Sequence, residues 1–207
     1  MIPTGNQAAI RAPGPSLLDG KVQRGFNVHH PTTVFVQRVD LGELAELQTT
    51  DAGPGFAAGF IERFDSLDPE LVAELEDAAG VPFDRALLGA ILAIEGSAAR
   101  AMGRLDTPEF SKIVRDPLSP REVELVWECQ SGTVARAAAR AALAGIVDLL
   151  PASLLGLRAK PEGRFATLVR NLEKRCRRRQ WSPTTAALVL AARKRGIPCE
   201  PLARDYL

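Results

Sequence analysis

Residues 121–150 read REVELVWECQSGTVARAAARAALAGIVDLL, and the two halves of this stretch follow different periods. Val123, Leu125, Trp127 and Cys129 alternate with Glu122, Glu124 and Glu128, the period of two that gives a strand one apolar and one polar face. From Thr133 the chain turns to alanine with Leu, Ile and Val, a helical run that Pro151 ends. A strand leading directly into a long helix predicts an α/β (α+β) fold, a small sheet covered on a face by helices.

Upstream, Thr33 to Leu41 (TVFVQRVDL) opens with β-branched and aromatic residues and then alternates, which predicts a second strand. Phe56, Phe60, Ile61 and Phe64 follow the turn Gly53-Pro54-Gly55 at helical spacing and share one face of a short helix. Asp68-Pro69 with Glu70 starts a further helix that Gly80 closes, and Phe83 to Met102 is the longest apolar helix. The first 20 residues, rich in Pro, Gly and Ala without a period, predict a loose arm over residues 1–32.

The chain has 207 residues, 46% of them hydrophobic, enough for a core without disulfides. Its 26 basic and 25 acidic side chains leave a net charge of +1, which removes whole-chain attraction as a basis for binding nucleic acid or anionic membranes. No run approaches the ~18 apolar residues of a membrane span and no signal peptide is visible, so a cytoplasmic location is expected. Cys129, Cys176 and Cys199 are odd in number and form no CxxC pair, which argues against a disulfide framework or a thiolate zinc site.

Charge is divided along the chain. Residues 1–150 hold 13 basic and 21 acidic side chains (net −8), and residues 151–207 hold 13 and 4 (net +9). The seam falls in LLPASLLGLRAKPEGR, where prolines and glycines punctuate as a linker does. This predicts a body over residues 33–150 and a basic segment over 151–207, the two meeting through opposite charge or standing as separately solvated faces. Within the segment, Phe165 to Arg179 is helical and ends in RCRRRQ; Ser182-Pro183 starts a second helix that Gly196 stops; Ile197 to Leu202 is expected to be a short strand interrupted by two prolines.

VQRVDLGELAEL, PGFAAGFIERFDSL, VWEC with VARAAARAALAGIVDLL, and SPTTAALVLAARKRGIPCEPL occur in an order that resembles the N-terminal region of cyanophycin synthetases. The resemblance spans residues 33–207, and its strongest pieces are PGF with its helix and SPTTAALVLAARKRGIP. That family consists of ATP-dependent ligases that build a polymer of aspartate and arginine, with an N-terminal α/β domain followed by ATP-grasp and Mur-ligase-like modules. The resemblance implies that the basic segment leads through a helix and strand into an ATP-grasp module, and that this chain is an excised or free-standing N-terminal domain. ATP and magnesium then belong to the associated module, with no cofactor in this chain. The implied partners are that module, in the same or a neighbouring chain, and an aspartate- or arginine-containing polymer or peptide; a homo-oligomer stays open, a membrane role is not expected, and nucleic acid is disfavoured.

Some N-terminal domains of the family resemble a metallopeptidase and carry H-x-x-E-H on the long helix, two zinc ligands and a base. Alignment on Gly89 sets Ala90, Ala93 and Ile94 at those three positions, and Gly132 where a further acidic residue would stand. None of the four binds a metal or moves a proton, and this helix offers only Glu95. His29 and His30, the only histidines, are adjacent before Pro31 and cannot form an i, i+4 pair, so a turn is expected there. There is no phosphate-cradling glycine loop and no base for a serine or cysteine nucleophile. What remains is binding, by Arg175, Arg177, Arg178 and Arg179 beside Trp181, whose planar forks suit carboxylates or phosphates. Arg136 and Arg140, one turn apart, match arginines of the family's helix, with salt bridging as their plainer role. The expected function is a non-catalytic domain of a cyanophycin-synthetase-like amide ligase that positions substrate and docks to the ligase module. A free-standing interaction or regulatory protein is the rival, and a residual metallopeptidase-like hydrolase comes last.

Overall fold

The computed structural model describes residues 14–24, 27–30, 32–64, 80–102, 110–129, 131–155, 164–178, 182–195 and 197. Four strands, β1 (Ser16–Gln23), β2 (Val34–Asp40), β3 (Ser111–Arg115) and β4 (Glu122–Glu128), form one antiparallel sheet in the order β1-β2-β4-β3. The described helices are α1 (Pro54–Phe64), α2 (Phe83–Ala101), α3 (Gly132–Leu149), α4 (Ala152–Leu155), α5 (Arg164–Arg177) and α6 (Pro183–Lys194). The α/β class read from the sequence is what the chain adopts, with helices packed over one face of the sheet.

The two periodic strands lie side by side at the centre. Phe35 opposes Trp127, Gln37 opposes Leu125 and Val39 opposes Val123, so the alternating apolar residues of β2 and β4 share a face and enter the main core. Helix α2 buries Phe83, Leu87, Ala90, Ile91 and Ile94 in that core, and α1 adds Phe56, Phe60 and Phe64. Helix α3 begins at Ser131, whose hydroxyl accepts from the Val134 N–H, and it buries five alanines whose short side chains let it lie close to its neighbours. On the other face of the sheet Val34, Val36 and Val126 form a second buried cluster with Phe110 packed against it.

Two strands depart from the sequence reading. Residues 16–23, expected within the loose arm, pair with β2, and a bulge between Leu17 and Gly20 interrupts the alternation that would have marked them as a strand. A Cβ at Gly20 would stand 2.6 Å from Gln37 Oε1 and 2.9 Å from Phe35 Cζ, so glycine is what allows this edge to close on β2. Strand β3 is a five-residue edge in which Ile113 alone joins the main core as an apolar residue, too short a pattern to register. The helix expected from Asp68 lies outside the described residues, as does the strand expected at 197–202 except for Ile197.

Helix α5 packs on α2 and α3, and its Leu172 and Cys176 belong to the same core as the sheet. The crossing is tight at Gly145, where a Cβ would meet Phe165 Cδ2 at 2.8 Å and Phe64 Cζ at 3.0 Å. Arg63 braces the same corner: it donates to the Gly145 carbonyl at 2.7 Å, pairs with Asp148 and lies over the Phe165 ring. Gly145→Val is therefore expected to lower stability by ~1 to 3 kcal/mol through overpacking. Gly55→Ala, at an exposed helical position with nothing within 4 Å of the added Cβ, is expected to raise it by ~0.5 to 1 kcal/mol. Urea unfolding of the two variants beside the wild type checks both signs.

Candidate functional site

The residues of α5 sort into two opposed faces. Phe165, Leu168, Val169, Leu172 and Cys176 fall at i, i+3, i+4, i+7 and i+11, and this stripe packs into the body. Arg170, Lys174, Arg177 and Arg178 fall on the opposite side, exposed, and with Glu173 they line a shallow open groove. Residues 164–178 carry six basic side chains and one acidic one. Glu173 reaches toward the Ser97 hydroxyl of α2 at 3.4 Å. Among the described residues, no ion pair engages Arg170, Lys174, Arg175, Arg177 or Arg178. The basic segment thus meets the acidic body through apolar contacts, and its cations are left facing outward.

The arginines singled out in the sequence separate into groups. Arg177 and Arg178 lie on the outward face, joined by Arg170 and Lys174, which the sequence reading had passed over. Arg175 is exposed on the flank it shares with Arg164 and Asn171 by helical phase. Arg179 and Trp181 lie outside the described residues. Arg136 is exposed but faces β1, donating to the Gly20 carbonyl at 3.1 Å with its guanidinium 6.0 Å from the centre of the Phe35 ring. Its role is to tie α3 to the edge of the sheet. Arg140, one turn further along α3, is exposed.

The long helix α2 places Ala90, Ala93 and Ile94 in the main core, each 0–1% exposed. The positions at which the family resemblance would set two zinc ligands and a base are therefore filled by packed hydrocarbon. One carboxyl follows them. Glu95 is buried, and its Oε2 accepts a hydrogen bond from Trp127 Nε1 of β4. Burial pushes the Glu95 carboxyl up to about 8; the indole N–H opposes this shift and the Glu128 charge adds to it. At neutral pH the group is mostly a neutral acid. A single carboxyl with an indole beside it cannot supply the three or four donors zinc requires, and among the described residues no group of three His, Cys, Asp or Glu converges.

A second buried acid is structural. Asp84, in the first turn of α2, accepts from Arg115 Nε of β3 at its Oδ2 (2.7 Å), and the same oxygen pairs with Arg115 Nη2 at 2.6 Å. This charged contact fastens the edge strand to the start of the helix. Neither acid pair could be read from the sequence, because each joins residues about thirty positions apart across two elements. The available signal was a lone Glu inside an apolar helix and a Trp on the inward face of a strand.

No protein-family model matches the chain, and no curated protein matches its sequence. No described helix is long and apolar enough to cross a membrane.

Glu95 makes stability depend on pH with a definite sign. The unfolded carboxyl loses its proton near the ordinary value of 4.5 and the folded one near 8, so its contribution is fully present below about 4.5 and is lost as pH rises through 8. Wild-type urea midpoints are expected to fall between pH 5 and 8.5, with a slope contribution of at most ~1.4 kcal/mol per pH unit. Glu95→Gln, which keeps an acceptor for Trp127, should flatten that fall. Parallel slopes for the two proteins would show that Glu95 does not control it.

Proposed function

We propose that this chain is a non-catalytic N-terminal domain of a cyanophycin-synthetase-like ATP-dependent amide ligase, acting in the cytoplasm, where it positions an acidic polymer or peptide and docks to the ligase module. The observation that carries the reading is the anchored cationic face of α5. Its apolar side is already packed into the body, so the helix is held in place before any partner arrives. Arg170, Lys174 and Arg178 follow one another at one helical turn, ~5.4 Å, with Arg177 beside them, and this spacing suits a row of carboxylates.

The same facts weigh against other partners. A surface-lying membrane helix inserts its apolar face, and here that face is occupied. Single-stranded nucleic acid is held by aromatic platforms beside the cations, and no described aromatic residue lines this groove. In this reading ATP and magnesium belong to the ligase module, and the chain's own contribution is electrostatic capture and orientation.

The test is the affinity of fluorescein-labelled polyaspartate for the wild type and for Arg170→Glu/Lys174→Glu/Arg177→Glu/Arg178→Glu. Exposed charges individually contribute ~0 to 1 kcal/mol, so reversal of four together should weaken binding by at least ~10-fold at low salt. The difference should shrink at about 0.5 M salt, while the urea midpoint stays near that of the wild type. Equal affinities at low salt would leave these cations as a solvated helix face and remove the basis of the proposal.

A further inference from the structure

The two edges of the sheet are finished differently. At β1 the outer edge is broken by the bulge between Leu17 and Gly20, and Arg136 of α3 donates to the Gly20 carbonyl. At β3 the edge is continuous and open. The Glu128 N–H donates to the Phe110 carbonyl at 2.9 Å, which makes these two residues a hydrogen-bonded pair and fixes the phase of the ladder. By that phase Lys112 and Val114 exchange bonds with Val126 and Glu124, while the N–H and C=O groups of Ser111, Ile113 and Arg115 point away from β4. Among the described residues no hydrogen-bond partner meets those outward groups. Arg115 holds the end of the strand against α2 through Asp84, so the edge is fixed before any partner arrives.

An open edge is a template for a further strand, and the sequence of β3 is complementary to itself. Turned about a two-fold axis at Ile113, a second copy of β3 lies antiparallel to the first. Ser111 then exchanges both bonds with Arg115 of the second copy, Ile113 with Ile113 and Arg115 with Ser111, so every outward group is paired. The side chains agree with this register. Ile113 meets its counterpart on the helix side, next to the main core against which it already packs. On the other side Lys112 comes opposite Val114 of the second copy and diagonal to its Asp116, which the alternation carries to the same face. Lys112 forms no ion pair among the described residues, and Val114 is 37% exposed, so both gain a neighbour they lack. An axis at Lys112 or at Val114 would carry Arg115 or Ser111 past the end of the facing strand, and the first would set Lys112 against itself.

We infer that β3 is the interface of a two-fold self-association, in which two copies of this chain join edge to edge and their sheets become one. The occupant is a second copy rather than an unrelated extended segment because one register pairs every outward backbone group, sets apolar Ile113 against Ile113 and brings Lys112 to the acid of the facing strand. A five-residue edge buries little area, so the pair is weak and reversible, with a dissociation constant on the order of 100 µM. No residue of α5 takes part, and the inference stands apart from the ligase reading.

Position 114 separates the interface from the fold, because it lies opposite Glu124 within its own sheet and opposite Lys112 across the proposed interface. A charge placed there acts on the two with opposite sign. Val114→Lys should support the monomer beside Glu124 and weaken the dimer at least ~3-fold; Val114→Glu should lower the urea midpoint and tighten the dimer about 3-fold. Ser111→Pro removes an outward N–H and no bond to β4, so it should weaken the dimer at least ~5-fold with the urea midpoint near that of the wild type. Sedimentation velocity of the full chain between ~10 µM and ~1 mM at low salt reads the equilibrium. A chain that stays monomeric at ~1 mM would overturn the inference, as would a dimer that neither Val114 variant shifts, since its contact would lie elsewhere. A monomer whose Ile113 amide resonance moves only on addition of an extended Thr–Glu repeat peptide would give the edge to a foreign strand and equally overturn it.

Discussion

The pairing of β2 with β4 governs the rest of the structure. Seven residues of each strand are in register, and that register decides which side chains meet the helices. Phe35, Val39, Val123, Leu125 and Trp127 face inward together, and Val34, Val36 and Val126 face outward together. A slip of one residue would exchange the two sets, because side chains alternate with a period of two. The helices α2 and α3 would then meet glutamates. The cationic face of α5 depends on this pairing through the helices on which it rests.

Helix α5 shows how composition and packing answer different questions. The opposite charges of the two parts of the chain suggest that they attract, yet the core that joins them takes in Leu155, Phe165, Leu168, Val169, Leu172 and Cys176, and no ion pair among the described residues links α5 to the body. Burying apolar area at ~25 cal/mol per Å² anchors a helix more firmly than exposed ion pairs of ~0 to 1 kcal/mol would. The cations are thereby released from a structural task and held on a fixed support, the condition under which several weak charges act together on one ligand.

What could be read from the sequence follows the strength of its periodicity. Strands β2 and β4 and helices α1, α2, α3 and α5 each bury a stripe against a partner, and a buried stripe leaves a repeating pattern. The edge strands leave little: β1 is broken by a bulge, and β3 has one apolar residue in the main core. The basic cluster was legible as composition, but its division was not. That Arg136 serves β1 and that Arg170 and Lys174 join Arg177 and Arg178 depend on helix phase relative to a body the sequence does not display.

The described interior is dominated by hydrocarbon. Ala90, Ala93 and Ile94 fill the middle of α2 with hydrocarbon; of the two buried acids of this helix, Asp84 is paired with Arg115, and Glu95 is held as a neutral group by burial and accepts from an indole N–H. A buried carboxyl that ionised would face the Glu128 charge with one donor to satisfy it, so protonation is the cheaper state up to about pH 8. The core is thereby kept electrically quiet. Among the described residues, the outer face of α5 gathers Arg170, Lys174, Arg177 and Arg178 on one exposed surface. The helices α2 and α3, packed between α5 and the strands, hold the cationic face of α5 on the side of the molecule opposite the sheet.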